Sequence, residues 1–250
     1  MRILVTNDDG VLAEGLRILT ETLSRNAEVV VVAPDRERSA IGTAVTLRRS
    51  LKVRREPPLV AGTTTYAISG TPTDCVILAL GKMVPDIDLV ISGINLGQNL
   101  GDDVLISGTV AGALQGYLRG KPAIAVSVAT AEFFPEAARV AARLAGKIAD
   151  RSLPRDVFLN VNLPDLPRDK VQGASVTRLA RSSHIDTVDE SYEDGQTAYR
   201  LLRRRTANHA APGTDIWAIE RGHISISPLH NLLLGRSQPA LSDHHFADLL

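Results

Sequence analysis

A doubly wound, mostly parallel α/β sheet of Rossmann-like type, with helices on both faces and β-hairpins projecting in the C-terminal part, is predicted by three features of this 250-residue chain. Residues 2–6, 28–33, 88–92 and 122–128 are apolar runs without polar alternation, as expected of parallel strands covered on both faces. Helical spacing fills the stretches between them. Turn-forming and polar residues gather just after several of the runs, at the carboxyl edge where such sheets bind ligands.

Taken in order, residues 2–6 (RILVT) form the first strand, and Leu12, Leu16, Leu19 and Leu23 then recur as one helical stripe. Residues 28–33 contain four consecutive valines and make the second strand. Residues 46–55 have alternating or β-branched character and are expected in a hairpin. Thr71-Pro72-Thr73-Asp74 supplies an N-cap, an N1 proline and an acidic N3 ahead of Val76, Ile77 and Leu80, so Asp74 reads as a cap. Residues 107–117 place Val110, Ala113, Leu114 and Tyr117 on one helix face, with Gly112 and Gly116 allowing close approach to the sheet. A later helix buries Val140, Leu144 and Ile148 and shows Arg139, Arg143 and Lys147 as a solvated face. Residues 196–205 suggest a second hairpin, residues 215–228 two short strands about Arg221-Gly222, and residues 239–250 a closing helix. The whole is expected to be one domain, residues 1–250, with its core in 1–165 and hairpins and tail from 166–250 in subunit contacts.

Composition excludes several classes. Lys plus Arg and Asp plus Glu both number 28, so the formal charge is +0 and no general attraction to nucleic-acid polymers or anionic lipid is expected. Any phosphate binding must be local. Cys75 is the only cysteine, which forbids an intramolecular disulfide and suggests a reduced, cytoplasmic protein. No apolar run reaches the roughly 18 residues of a membrane helix, so no membrane role is expected.

Asn7-Asp8-Asp9-Gly10 follows the first strand directly. Adjacent residues of a regular strand point to opposite faces, so both carboxylates can serve one ion only if the backbone turns, which Gly10 permits. The bland alternative is an Asn-Asp-Gly turn with Asp9 capping the first helix. The second strand leads into Pro34-Asp35-Arg36-Glu37-Arg38-Ser39. The run DLVIS leads into a segment from Gly93 to Gly101 with three glycines and with Asn95 and Asn99. Together these loops offer carboxylates, a hydroxyl and amide oxygens, a hard donor set that suits one Mg²⁺ or Mn²⁺ and disfavours zinc. Ser107-Gly108-Thr109 begins the next helix, where backbone N–H groups make an anion site. A cation beside an anion site indicates phosphate chemistry.

The motifs NDDG at 7–10, VVAPDRERSA at 31–40, GTPTDCV at 70–76, SGINLGQNLGDD at 92–103 and SGTVAGA at 107–113 resemble the SurE family of stationary-phase survival proteins, which act as nucleotidases. LNVNLP at 159–164 and GTDIWAIERGHISISPL at 213–229 extend the likeness. The resemblance implies metal ligands at Asp8, Asp9, Ser39 and Asn95. It implies substrate or phosphate contacts at Asn7, Ser39, Asn95, Asn99, Ser107, Gly108 and Thr109. It further implies hydrolysis of nucleoside 5′-monophosphates, with 3′-monophosphates as a second class, by a homodimer or homotetramer that exchanges C-terminal segments. Asp8 and Asp9 would be the catalytic carboxylates. Ile106 stands where the family usually has Tyr, and the acidic stretch 182–196 replaces an Arg/Gly/Pro/Tyr-rich one.

Rival readings fit less well. An aspartyl-phosphate phosphatase with an Asp-x-Asp-Gly-Thr motif would need a carboxylate where Asn7 stands. A receiver-like phosphoacceptor module would have only Asp35 to offer. No G-x-G-x-x-G or P-loop pattern follows a strand. His184 and His230 are candidates for the pocket wall, His244-His245 for the surface, and Trp217, Tyr117 and Cys75 for packing.

Overall fold

The computed structural model describes residues 1–181, 184–193, 196–205, 210–229 and 241–250. Apolar strands and amphipathic helices alternate from the start: β1 (Arg2–Thr6), α1 (Glu14–Ser24), β2 (Glu28–Pro34), β3 (Val53–Glu56), β4 (Thr64–Ile68), α2 (Pro72–Leu78), β5 (Leu89–Leu96), α3 (Gly108–Leu118), β6 (Ala123–Val128), α4 (Phe134–Ala149) and β7 (Phe158–Asn162). Then come β8 (Gly173–Val176), β9 (His184–Glu193), β10 (Gln196–Arg205), α5 (Asp215–Glu220) and β11 (His223–Pro228). Among the described residues, nine strands form one sheet in the order β3-β4-β2-β1-β5-β6-β7-β11-β8, and β9 and β10 pair separately. The run from β4 to β7 is parallel, whereas β3 and β11 join antiparallel to their inner neighbours.

The apolar runs are continuous because both faces are covered. Ile3 and Val5 of β1 pack with Leu16, Leu19, Val140 and Leu144 of α1 and α4, while Leu4 between them packs with Val76 and Ala79 on the α2 side. α3 covers β6 and β7 on that second face through Val110, Ala113 and Tyr117, and Tyr117 stacks on Phe158 with ring centroids 5.8 Å apart. The chain leaves β1 toward β2 on one side and β5 lies on the other, so strand order reverses at β1. That crevice is where a doubly wound sheet places its ligand.

Several local expectations are met and several are not. Thr71 and Asp74 form the reciprocal capping box, with Asp74 N–H donating to Thr71 Oγ1 at 3.1 Å and Thr71 N–H to Asp74 Oδ2 at 2.9 Å. Cys75 is fully buried. Leu12, however, lies outside α1 and is 87% exposed, because the chain is still turning there and the helix begins only at Glu14. In the 46–55 stretch only the end is strand: β3 pairs with β4 at the sheet edge, and Thr46 is instead tied to Asp74 by its N–H and hydroxyl. Residues 215–228 hold a helix and a strand rather than two strands, because Thr214 accepts the Trp217 N–H and caps α5. β8 and β11 join the main sheet, so its core reaches past residue 165.

The basic stripe of α4 is likewise not simply solvated. Arg143 donates to the main-chain oxygens of Asp248 and Leu250, and Lys147 pairs with Asp248 at 2.7 Å, holding the tail with Phe246 and Leu249 buried. That tail forms one 3₁₀ turn, Asp243–Phe246, and the first two residues of the expected 239–250 helix lie outside the described residues. His244 is exposed and His245 half-buried against Ser242. No helix among the described residues is long and apolar enough to cross a membrane.

A Cβ on Gly116 would lie 2.6 Å from Cβ and Cγ2 of Val90, so α3 reaches its seat on β5 only because that position is bare. Gly116→Ala recovers about 1 kcal/mol of helix propensity but forces an overpacked contact costing about 1–3 kcal/mol, so the net change is destabilising. Urea unfolding should show a lower midpoint for Gly116→Ala, and in a Val90→Ala background the same substitution should become neutral or stabilising. A midpoint that does not move in the single variant would mean the helix seat is slack.

Candidate active site

The strands bring three loops together at the crevice. Asp8 and Asp9 follow β1 in the turn that leaves it, and Gly10 adopts φ +100, which turns the chain where a side-chain-bearing residue would be strained. Asn7 is fully buried, donating from Nδ2 to the Gly10 carbonyl at 3.0 Å and accepting the Gly10 N–H on Oδ1 at 3.2 Å. The Asn7 amide thus shapes the turn and does not line the pocket. The Arg38 N–H donates to the Asp8 carbonyl at 2.7 Å and fastens the loop after β2 to the end of β1. Ser39, on that loop, donates to Glu37 Oε1 at 2.7 Å. β5 runs farther than its apolar run suggests and carries Asn95 within the strand, beyond a register shift against β6 between Ser92 and Asn95. Asn95 Nδ2 donates to the Gly97 carbonyl at 2.7 Å, which orients its amide and leaves Oδ1 for a ligand.

These groups meet at one pocket of about 180 Å³, lined by Asp8, Ser39, Ala40, Asn95, Leu96, Asn99, Asp103, Ile106 and Ser107. Five of the nine candidate residues are therefore on its wall. Asp9 stands beside Asp8 with its carboxylate drawn toward the Leu96 N–H. Gly108 and Thr109 reach the pocket through Asp8. The Thr109 hydroxyl donates to Asp8 Oδ1, the N–H groups of Gly108 and Thr109 also bond the Asp8 carboxylate, and a Cβ on Gly108 would lie 2.8 Å from the Asp8 Cβ. Ser107 caps α3 by accepting the Val110 N–H at 3.1 Å. His230 lies outside the described residues, as does the side chain of His184. Asp103 and Leu96 are wall residues that motif reading did not single out, and Ile106 occupies the wall position where an aromatic residue is usual for the resembled family.

The electrostatics are those of a site short of positive charge. Burial raises the Asp8 carboxyl above its ordinary value against the lowering hydrogen bonds from Thr109 and Gly108. Burial, then the charge of Asp8, push Asp9 up to about 6, with Glu37 adding to the repulsion. Two adjacent carboxylates held apart from water repel unless a cation or proton lies between them. Ser39 and Asn95 supply further hard oxygens, so the residues fit a small divalent cation of the Mg²⁺ or Mn²⁺ type. Among the described residues no three His, Cys, Asp or Glu side chains gather into a metal cage, so the fit rests on this mixed set.

Comparison with known proteins places these features in a wider set. The family model for survival protein SurE matches residues 3–186. The 5′-nucleotidase SurE of Dehalococcoides mccartyi is 50% identical over 256 residues, covering 100% of this chain and 96% of the relative. The 5′-nucleotidase SurE of Aeromonas hydrophila is 47% identical over 92% of each chain. A crystal structure of the SurE protein from Aquifex aeolicus superposes with a TM-score of 0.78 at 37% identity, covering 92% of this chain and 93% of that one.

The strained carboxylates have a measurable cost. A carboxyl whose folded pKa is raised, here Asp9 from 3.8 to about 6, favours folding only in its neutral form, and that contribution is lost as pH climbs from about 4 through 6. Discounted for the solvent that reaches Asp9, the penalty near neutrality is about 1 kcal/mol. In excess chelator at pH 7.5, Asp9→Asn should therefore raise the melting temperature by about 2–4 °C, and the gain should vanish at pH 4. Calorimetry at the two pH values decides it, and an unchanged or lower melting temperature at pH 7.5 would count against the electrostatic picture.

Proposed function

The chain belongs to the SurE family, and from that premise we propose that it is a metal-dependent 5′-nucleotidase, hydrolysing nucleoside 5′-monophosphates to nucleoside and phosphate. The observation that carries the reading is the convergence of Asp8, Ser39, Asn95, Asn99 and Ser107, from four separate segments, on one small polar pocket at the strand-order reversal. The 5′-nucleotidase names of the relatives, at 42–50% identity over nearly the whole chain, support the substrate class. Nucleoside 3′-monophosphates are a second class within the proposal.

Asp8, Asp9, Ser39 and Asn95 would hold one Mg²⁺ or Mn²⁺. Such a cation supplies charge neutralisation and polarises phosphoryl oxygens. The chain's own residues do the rest. The N–H groups of Gly108 and Thr109 are taken by the Asp8 carboxylate, so the Ser107 hydroxyl on the pocket wall is the group of this turn that would stabilise the charge growing on the phosphoryl oxygens. Asp8, on the pocket wall, takes up the proton of the attacking water. Leu96 and Ile106 give the pocket lip an apolar surface for the leaving nucleoside.

A homo-oligomer with exchanged C-terminal segments belongs to the same proposal. Among the described residues β9 and β10 pair only with each other and expose Val188, Tyr192, Tyr199 and Leu201, and an isolated two-stranded ribbon is marginal in water without a partner surface. Replacing Tyr199 and Leu201 together by Glu should shift the sedimentation coefficient toward the monomer. Retention of the unsubstituted protein's oligomeric state would remove the ribbon from the interface.

The activity is tested with a panel of 5′- and 3′-mononucleotides and an aryl phosphate, with chelator and with added Mg²⁺ or Mn²⁺. Hydrolysis should require the metal and favour the 5′-monophosphates, and Asp8→Asn should cut kcat at least about a hundredfold with an unchanged circular dichroism spectrum. Turnover untouched by chelation, or an Asp8→Asn enzyme at full rate, would defeat the assignment.

A further inference from the structure

Behind the pocket wall lies a buried polar cluster that the proposed chemistry does not use. Asn162 on β7 and Asp215 at the start of α5 are both fully buried, and neither lines the pocket. Asn162 Oδ1 accepts the Asn99 N–H at 2.8 Å, and Asn162 Nδ2 donates to the Asn99 carbonyl at 3.0 Å. Asn160, two residues earlier on the same strand face, donates to that same carbonyl at 2.9 Å. The Asn99 side chain is in turn fixed by Nδ2 donating to Ser127 Oγ at 2.9 Å. Two residues on, Asp215 Oδ2 accepts the Gly101 N–H at 2.7 Å, while Oδ1 accepts the N–H groups of Ala180 and Ile216, each at 2.8 Å.

A loop segment normally satisfies its backbone with water. Here the segment through Asn99 and Gly101 is satisfied by side chains 63 and 114 residues away, at the cost of burying an amide and a carboxylate. Each of those groups would cost about 1–3 kcal/mol if left unpaired, so the arrangement is stable only while the segment stays in place. Asn99, Asp103, Ile106 and Ser107, four of the pocket's wall residues, lie on or just after the clamped stretch.

We propose that Asn162 and Asp215 are positioning residues, which clamp the main chain at Asn99 and Gly101 and so set the wall from Asn99 to Ser107 in the pocket that Asp8 also lines. The proposal rests on the nucleotidase reading for its substrate but not for its geometry. The wall serves the phosphate and the leaving group, whereas Asp8, Asp9, Ser39 and Asn95 lie outside the clamped stretch. Loosening the clamp therefore weakens substrate binding and spares the metal. Because Asp215 also holds Ala180, shortly before β9, the same carboxylate ties the root of the β9–β10 ribbon to the pocket wall.

The test separates this role from general stabilisation. Asn162→Asp keeps the acceptor for the Asn99 N–H but sets an oxygen against the Asn99 carbonyl, and Asp215→Asn turns an amide N–H₂ toward backbone donors. Each should raise KM for a nucleoside 5′-monophosphate about tenfold while the half-saturating Mn²⁺ concentration stays at the unsubstituted value. A merely structural role lowers the folded fraction, and with it kcat, but leaves KM alone; a folded variant with unaltered KM overturns the proposal. Amide hydrogen exchange on the unsubstituted protein gives a second readout that needs no variant to fold. The Asn99 and Gly101 N–H groups should exchange as slowly as those inside β5, and exchange at the rate of exposed loop amides overturns the clamp. If the unsubstituted enzyme fails to hydrolyse nucleotides, the nucleotidase reading falls, and the exchange measurement alone decides the clamp.

Discussion

The arrangement depends on one contact, the buried carboxylate of Asp8 against the first turn of α3. A carboxylate taken out of water is costly unless donors replace its hydration, and here the Thr109 hydroxyl and the N–H groups of Gly108 and Thr109 do so. The positive end of the helix adds a favourable field. The contact requires that α3 come unusually close to the sheet, which is why the positions facing β1 and β5 are glycines: Gly108 against Asp8, Gly112 against Thr6 and Ser92, and Gly116 against Val90. Once helix and strand are joined in this way, Ser107 is delivered to the pocket. The loop after β2, tied to the Asp8 carbonyl by the Arg38 N–H, brings Ser39 to it as well.

The strands were legible because a parallel sheet covered on both faces leaves an uninterrupted apolar run, and β1, β2, β5 and β6 all carry one. The capping box at Thr71 was legible for a local reason, since its partners are three residues apart. Where tertiary contacts decide, the pattern misled. Leu12 keeps helical spacing with Leu16 but stands in the turn that Gly10 starts, and residues 215–220 form a helix because Thr214 caps them. Arg143 and Lys147 read as a solvated face because nothing in α4 reveals that the tail will lie across it.

The pocket was legible in the same uneven way. Asp8, Ser39, Asn95, Asn99 and Ser107 follow or end apolar runs, and position at the carboxyl edge is itself a signal. Asn7 shares that position, yet its amide is consumed by Gly10, a use that only coordinates reveal. Asn162 and Asp215 carry the opposite difficulty. An asparagine inside an apolar strand is a weak hint of a buried partner, but its partner is 63 residues away. Asp215 falls in a stretch whose pattern reads as strand, and neither the helix it begins nor its bond to Gly101 is visible in that pattern.

The molecule thus uses buried polarity in two opposed ways. At the pocket, burial and the neighbouring Asp8 make the charged form of Asp9 costly, and burial does the same to Asp8. Behind it, the amide of Asn162 and the carboxylate of Asp215 are matched to backbone donors and acceptors, and nothing further is needed to satisfy them. The separation follows from electrostatics. A clamp made of charged pairs would impose its own field on the pocket in a medium of low dielectric, whereas an amide bonded to N–H and C=O holds the chain with little net charge. Asp215 is the exception, and its charge is met by three backbone N–H donors. The crowding at Asp9 is therefore carried without loosening the wall, because the wall's shape rests on Asp8 against α3 and on the clamp of Asn162 and Asp215.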